Sequence, residues 1–461
     1  MRQPQGYEIW RNRIDRLLGF APGAPPSLIS GQDNPVDGPV AWILSYTPVI
    51  QEPRLIRQVW SLQKAGWRVV VVGQLAGQIP PNSWSVVPLG EAVRHRPLAY
   101  RILLRLQREL GRLLYRKART GSRLAITGAQ LSYYGQPNWR EDARDLLAVA
   151  RAHPDMAPAL VIAHDYPTCP PALALARMTG AALIVDCHEY ARGQYAHDEG
   201  WQSDGRLFAT ALQDDLLAQA DAVTTVSEGI AERLNAEQQL KRPVVTLRSM
   251  PFHESMSYRP TSETVTVLYH GLLAADRGLD ALIRSVRWWR PHLRLVLRGH
   301  GEAEVVEALK TLARDEGLVE RITFEPSVPF DQIVVEANQA DIGYFVQPDG
   351  SPQKRFTLPN KFFEYTMAGL ALAVSDLPEM ARLVKRHDLG ILIQGLEPEA
   401  IAVALNRLER ADIDHHKQAA LSAARELCWD REHAAFMALV NELVPDICPS
   451  ATIAQLKNGV I

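Results

Sequence analysis

A chain of 461 residues exceeds what one hydrophobic core usually serves, so two domains are the starting expectation. Apolar residues at 47% and charged residues at 22% are ordinary for a soluble globular protein. A formal net charge of −2 argues against a generally nucleic-acid-binding chain, and no stretch approaches the ~20 consecutive apolar residues that would span a membrane.

The opening MRQPQGYEIWRNRIDRLLGF has no apolar core long enough for a signal peptide. Cys169, Cys187, Cys428 and Cys448 are far apart and show no metal-ligand spacing. They read as reduced thiols, which predicts a cytoplasmic setting. Residues 1–38 read as an appendage, one short amphipathic segment (Ile9 to Phe20) followed by a Pro- and Gly-rich loop. Ala41 to Val49 is the first strand, QEPRLIRQVWSLQKAG a helix capped by Gly66, and WRVVVVGQ the next strand. That βαβ unit implies a parallel sheet.

Arg94 to Arg123 breaks the pattern and predicts one helix of about five turns. Leu98, Ile102, Leu106, Leu110 and Leu113 recur at helical spacing, and Arg101, Arg105, Arg108, Arg112, Arg116 and Arg119 follow another face. Two readings stand: a surface helix packed by its leucines, or an in-plane helix drawn to anionic lipid headgroups. RNA binding is a poorer third, since aromatic interleaving is sparse.

Trp139 to His153 reads as a helix, and ALVIAHDYP as a strand ending in His164 and Asp165. PALALARMTG is then a helix, and AALIVDCHEY a strand ending in His188, Glu189 and Tyr190. Residues at the carboxyl ends of parallel strands line ligand sites. Ser227 is placed to cap the next helix. PVVTLRSMPFHESMSYRP carries a strand and then an irregular tract, which puts the linker at about 250–262. VTVLYHGLL, LRLVLRGHGE, ITFEPSV, ADIGYFVQ and GILIQG, separated by helices, predict a second doubly wound α/β sheet. The chain after Glu397 reads as helical to about residue 444, and 445–461 as a loose tail.

The most informative stretch is Phe356 to Met380, FTLPNKFFEYTMAGLALAVSDLPEM. Pro359 suits the start of a helix, Gly369 its end, and LALAVSD a short buried parallel strand. Backbone N–H groups at the helix start, with Asn360 and Lys361 beside them, suit a phosphate. Glu364 lies one turn on, placed to accept hydrogen bonds from ribose hydroxyls.

PNKFFEYTMAGLALAVSD resembles the nucleotide-binding segment of the retaining GT-B glycosyltransferases of the group 1 family (glycosyltransferase family 4-like), many of which read "PNK-x-x-EY-x-x-AG-x-P-x-x-x-SD" there. The "HD" and "D-x-HE" strand tips and LQDDLLAQADAVTTVSEGIAERL are similar to other segments of that family. The resemblance implies two Rossmann-like domains facing a cleft, with the last helix crossing back. It divides the chain into the appendage at 1–38, an acceptor domain at 39–250, a nucleotide-sugar domain at 263–428, and a crossing helix and tail at 429–461.

Such an enzyme must neutralise the leaving diphosphate, hold the nucleoside, and place an acceptor hydroxyl against the anomeric carbon. Arg277, Arg298 and Lys361 are the candidate cations, with no metal or other cofactor expected. His270, Gly271, Gly299, Pro359, Asn360 and Glu364 complete the expected donor site. Asp165, His188 and Glu189 are expected to orient the sugars. The resemblance implies front-side displacement with retention and a saccharide or polyprenyl-linked acceptor.

Two positions depart from the family: Phe356 stands where fuller members have a first glutamate, and Leu272 where an arginine often follows the glycine. They motivate a second reading, a non-catalytic GT-B-like subunit that binds a nucleotide sugar or a partner. A third is a UDP-sugar epimerase, which would need carboxylates deep in the cleft.

Overall fold

The computed structural model describes residues 25–35, 37–89, 97–119, 122–134, 137–195 and 198–445. The segment Ile9 to Phe20 and most of the 445–461 tail lie outside the described residues. The chain forms two compact units.

The first unit begins with β1 (Val40–Pro48), α1 (Pro53–Lys64), β2 (Arg68–Gln74) and β3 (Ser85–Pro88). A helical insertion follows: α2 (Leu98–Lys117), α3 (Arg123–Tyr134) and α4 (Pro137–Ala152). The sheet resumes with β4 (Leu160–His164), α5 (Asp165–Thr179), β5 (Ala182–Cys187), α6 (Arg206–Leu217), β6 (Ala222–Thr225), α7 (Glu228–Glu237) and β7 (Val245–Thr246). Strand order is β3-β2-β1-β4-β5-β6-β7, parallel from β3 through β6. The strands are apolar on both faces, as helices on both sides require: Val69 to Val72 are completely buried.

The insertion corrects the expected single helix. Its first helix stops at Lys117, and a second returns against it. The crossing is made by paired glycines: a Cβ on Gly111 would stand 2.6 Å from the Gly128 carbonyl oxygen, and one on Gly128 would stand 2.6 Å from the Tyr115 nitrogen. The inward face of α2 is Tyr100, Leu104, Gly111 and Tyr115. The leucine stripe does not pack: Leu98, Ile102, Leu106, Leu110 and Leu113 are all half or more exposed, Leu98 at 69%.

The second unit contains β8 (Val265–His270), α8 (Leu279–Ser285), β9 (Leu293–Arg298), α9 (Ala303–Asp315), β10 (Ile322–Glu325), α10 (Ile333–Ala337) and β11 (Ile342–Phe345). It continues through α11 (Pro352–Phe356), α12 (Asn360–Met367), β12 (Ala371–Ser375), α13 (Pro378–His387), β13 (Gly390–Ile393), α14 (Pro398–Asn406) and α15 (Arg410–Ala423). The order is β10-β9-β8-β11-β12-β13, every neighbouring pair parallel. This repeats the order of the first sheet. In both, the direction of winding reverses beside the first strand, between β1 and β4 and between β8 and β11, which is where open α/β sheets take ligands.

Residues 226–232 group with the second unit. Ser227 caps α7, its Oγ accepting from the Ile230 N–H, and donates to the Phe356 carbonyl at 2.6 Å, while Glu379 accepts from the Gly229 N–H at 3.0 Å. The last helix, α16 (Trp429–Leu443), contributes residues to Ala435 to the second unit and from Phe436 to the first.

Candidate active site

In the second unit, strand register brings the expected residues into one row. His270, Arg298 and Glu325 are neighbours across β8, β9 and β10 at the carboxyl ends. Gly271 and Gly299 follow, and their backbones touch: a Cβ on Gly299 would lie 1.8 Å from the Gly271 carbonyl oxygen. Only glycine fits there, and both have positive φ, +112° and +155°.

Helix α12 adds the rest. Pro359 is its N-cap, extended at φ −73° and ψ 150°, with Asn360 at the first helical position. Gly369 ends the turn in the left-handed region at φ +71°. Lys361 reaches back over Gly271, where a Cβ would be 2.6 Å from Nζ. Its ammonium also lies 5.6 Å from the Tyr269 ring centroid and 5.7 Å from that of Phe345. Burial lowers the Lys361 pKa, the Glu364 carboxylate opposes this, and the Arg277 guanidinium adds to it. The Arg277 charge thus reaches Lys361, and an anion beside the Lys361 ammonium would favour its charged form.

Glu364 is buried and accepts a hydrogen bond from His270 Nε2 at 2.8 Å. The His270 ring lies 4.5 Å from Tyr365, whose hydroxyl accepts from the His270 backbone N–H at 3.0 Å. This His270–Glu364 pair was not foreseen from sequence. Arg298 is held by Glu325 through Nε at 2.8 Å, and its Nη1 is buried with no hydrogen-bond partner among the described residues. Arg277 Nε is in the same condition, with Asp276 Oδ1 at 3.8 Å. Leu272 is partly exposed and its carbonyl accepts from the Tyr269 hydroxyl at 2.8 Å. Phe356 lodges against Gly229, where a Cβ would be 2.4 Å from Phe356 Cδ1.

In the first unit, β4 ends at His164, and Asp165 starts the next helix in a left-handed conformation, φ +60°. The sequence expectation started that helix six residues later, at Pro171, which with Pro170 lies inside it. Asp165 Oδ1 accepts from the His188 backbone N–H at 2.8 Å, and Oδ2 lies 3.7 Å from His188 Nδ1. His188 Nε2 is 3.5 Å from Asp186 Oδ2. Burial works against the imidazolium, yet Asp165 and Asp186 outweigh it and hold His188 up at about 9.

Beneath this pair lies a group the sequence reading missed. Arg54, on α1, places Nη2 2.6 Å from Asp186 Oδ1 and Nε on Oδ2. Gln58, one turn on, donates to Asp186 at 2.7 Å, and Thr224 donates from β6 at 2.6 Å. All four side chains are buried. Burial opposes the Asp186 charge, but Arg54 beside it prevails and holds the carboxyl well below the usual range. Gln58 Oε1 also lies 2.9 Å from His164 Nε2, which fixes the proton there, and burial with the nearby His188 charge pushes His164 down to about 3. The sequence signal was faint: Arg54 and Gln58 are spaced i, i+4 on a helix, a pattern usually seen on solvated faces. The His164, Asp186 and His188 ligand atoms are close enough together for a metal, but Arg54, Gln58 and Thr224 already occupy the Asp186 carboxylate. Glu189 lies apart from this group, on a cavity wall with Asp165, Tyr166 and Gln213.

The family profile described as "Glycosyl transferase 4-like domain" matches residues 51–249, and that described as "Glycosyl transferases group 1" matches residues 264–410. No curated protein matches the sequence. Among solved structures, the chain is similar to sucrose-phosphate synthase from Thermosynechococcus elongatus, with 13% identity, a TM-score of 0.67, and 88% of this chain and 100% of that one covered. It is similar to HepE from Anabaena, solved with UDP and glucose, at 12% identity and a TM-score of 0.61, covering 87% of this chain and 99% of HepE. A glycosyltransferase from Rickettsia africae aligns with a TM-score of 0.61 at 9% identity over 89% of this chain and 99% of that one. At such identities the structures attest the fold, while the two profiles together span most of the chain. The protein belongs to the group 1 glycosyltransferases of GT-B fold.

Proposed function

We propose that this glycosyltransferase moves a sugar, with retention, from a nucleoside-diphosphate sugar to a saccharide or polyprenyl-linked acceptor, in polysaccharide or glycoconjugate biosynthesis. One observation carries the donor assignment: Lys361, which the Arg277 charge reaches, lies over Gly271 beside the buried His270–Glu364 pair at the winding reversal of the second sheet. The two cations take the diphosphate and Glu364 takes ribose hydroxyls. Asn360 and the backbone at Gly271 and Gly299 hold the rest of the donor. Charge on the leaving group is then met by side chains without a metal, and Arg277 supplies the cation that Leu272 does not. HepE is solved with UDP and glucose, so UDP-sugars are the first donors to try. Incubation with a panel of UDP- and GDP-sugars in EDTA should release nucleoside diphosphate. Product NMR should show the donor's anomeric configuration; an inverted product or a requirement for Mg²⁺ would contradict the reading.

The acceptor side points to a cytoplasmic membrane surface. No helix among the described residues is long and apolar enough to cross a membrane, but α2 exposes its leucine stripe alongside Arg101, Arg105, Arg112 and Arg116. An apolar face rimmed by arginine suits peripheral seating in anionic headgroups. Each such Arg contributes about 1 kcal/mol near the surface, and salt with a Debye length of about 8 Å weakens the attraction. The protein is expected to sediment with anionic but not neutral vesicles. Replacing Arg101, Arg105 and Arg112 with Gln should release it while sparing donor hydrolysis; equal partition of both proteins would make α2 a merely solvated face.

A further inference from the structure

A second pair of histidines meets an aspartate, this time on the surface of the second unit. Helix α13 ends at His387, and Asp388 caps it in the left-handed region, φ +54° and ψ 45°, with its N–H on the Val384 carbonyl. Asp388 Oδ2 lies 2.6 Å from His415 Nε2, and Oδ1 lies 3.6 Å from His416 Nδ1. Both histidines come from α15, and their ring centroids stand 5.4 Å apart. Adjacent helical positions diverge by about 100°, so two such side chains converge only on a group lying outside the helix between them. One possible ligand atom from each of the three residues falls within 4.8 Å of the others.

The surroundings suit a cation. In the buried cluster of the first unit, Arg54, Gln58 and Thr224 already fill the Asp186 carboxylate. The Asp388 carboxylate has the two imidazoles as its only side-chain partners among the described residues. Lys417, the next residue of α15, turns inward to Asp341 at 2.8 Å. A carboxylate at the C-terminal end of a helix faces the negative end of the dipole, where positive charge is favoured. The Asp388 and His415 side chains are 64% and 62% exposed, so an ion reaches them from solvent without opening the fold.

Two imidazoles and one carboxylate suit zinc, whereas magnesium and calcium take oxygen ligands. Zinc bonds of about 2.0–2.2 Å set tetrahedral ligand atoms roughly 3.4 Å apart, so the Asp388–His415 contact would open slightly and wider ones would close. His416 Nδ1 now faces the Asp388 carbonyl oxygen at 2.8 Å. As a ligand it would give up that hydrogen bond and carry its proton on Nε2. Three protein ligands leave the fourth position to water.

We propose that Asp388, His415 and His416 form a zinc site that clasps the end of α13 to α15. Helix α15 in turn backs the end of α12, where a Cβ on Gly369 would stand 2.6 Å from Leu421. The ion thus braces the second unit from outside its candidate active site, and the inference is independent of the glycosyl-transfer reading.

Calorimetric titration of the full chain, free of any histidine tag and stripped with EDTA before dialysis, tests the site with ZnCl2 and MgCl2. One Zn²⁺ per chain should bind, and Mg²⁺ should not. His415→Ala, His416→Ala and Asp388→Asn should each weaken zinc by roughly tenfold or more. His188→Gln, in the buried cluster of the first unit, should leave zinc binding unchanged. At about a hundred times its Kd, Zn²⁺ should raise the thermal midpoint of the parent and not that of His415→Ala. His415 is exposed, so its variant is decisive should either of the others disturb the fold. No zinc binding by the parent, equal affinity in His415→Ala, loss of affinity in His188→Gln instead, equal binding of Mg²⁺, or an unmoved parent midpoint would each overturn the clasp.

Discussion

The two sheets share one strand order and differ in what stands at their carboxyl tips. In the first unit the charges are matched internally: Asp186 is saturated by Arg54, Gln58 and Thr224, and His188 lies between two carboxylates. In the second, each cation has a carboxylate near it but spare donors remain: Lys361 is depressed by burial and by Arg277, and Arg277 Nε and Arg298 Nη1 are buried without hydrogen bonds among the described residues. A self-neutralising cluster can shape a wall and hold a fold. A cluster whose cations keep N–H groups without partners beside two bare glycines leaves room for an anion. Closely similar topology thus yields one tip that is structural underneath and one that, on the proposed reading, takes a diphosphate.

The sharpest way to break this contrast is Arg54→Ala, which leaves Asp186 buried and charged. Loss of one partner from a buried pair costs about 3–5 kcal/mol. Chemical denaturation should show the first unit destabilised by that amount, and a midpoint within error of the parent would show that water replaces the guanidinium. The corresponding change in the second unit, Lys361→Ala, should leave stability nearly intact, because it relieves crowding. It should instead lower turnover by about 10²–10³, the usual loss for one group that meets transition-state charge. With Arg277→Ala the effects should be less than additive, since both serve one charge. Full turnover in either single variant would remove that residue from the phosphate site.

Glu364→Gln is a smaller probe of the second tip. The amide still fills the space but no longer accepts from both His270 and a ribose hydroxyl as a carboxylate does. Donor affinity is expected to fall by roughly 1–3 kcal/mol, with the fold unchanged. Calorimetry that finds the parent's donor Kd would place Glu364 outside the nucleotide site and leave it as a structural partner of His270.

Most of the second tip was legible in the sequence, because α12 and its flanking turns are contiguous and their chemistry is local. Pro359, Lys361, Glu364 and Gly369 take the positions that the helix start, the helical turn and the left-handed cap dictate. The partner of Glu364 was not legible as such, since His270 is far away in sequence and only strand order brings it near. Arg54 and Asp186 were hidden for the same reason, being 132 residues apart. Of the two readings of the insertion helix, the one in which its leucines pack fails on different grounds. A leucine stripe is normally the packed face, and here the packed face is carried by two tyrosines, a leucine and a glycine crossing.

The finest probe of the first tip is the titration of His188. Its folded pKa of about 9 stands above the ordinary 6.5. A group raised on folding stabilises fully below its unfolded pKa, and that contribution is lost as pH rises through the folded value. The first unit should therefore lose stability between about pH 6.5 and 9 on account of this residue. Asp165 holds one side of the ring at 3.7 Å and is the more exposed of its two carboxylates, so Asp165→Asn should lower the His188 midpoint by roughly one unit, about 1.4 kcal/mol. Asp186 would hold the remainder. Imidazole NMR in parent and variant reads this directly, and the alkaline loss of stability should end at correspondingly lower pH in the variant. If the midpoint does not move, Asp186 alone sets the charge on His188, and Asp165 holds that residue only through its backbone N–H.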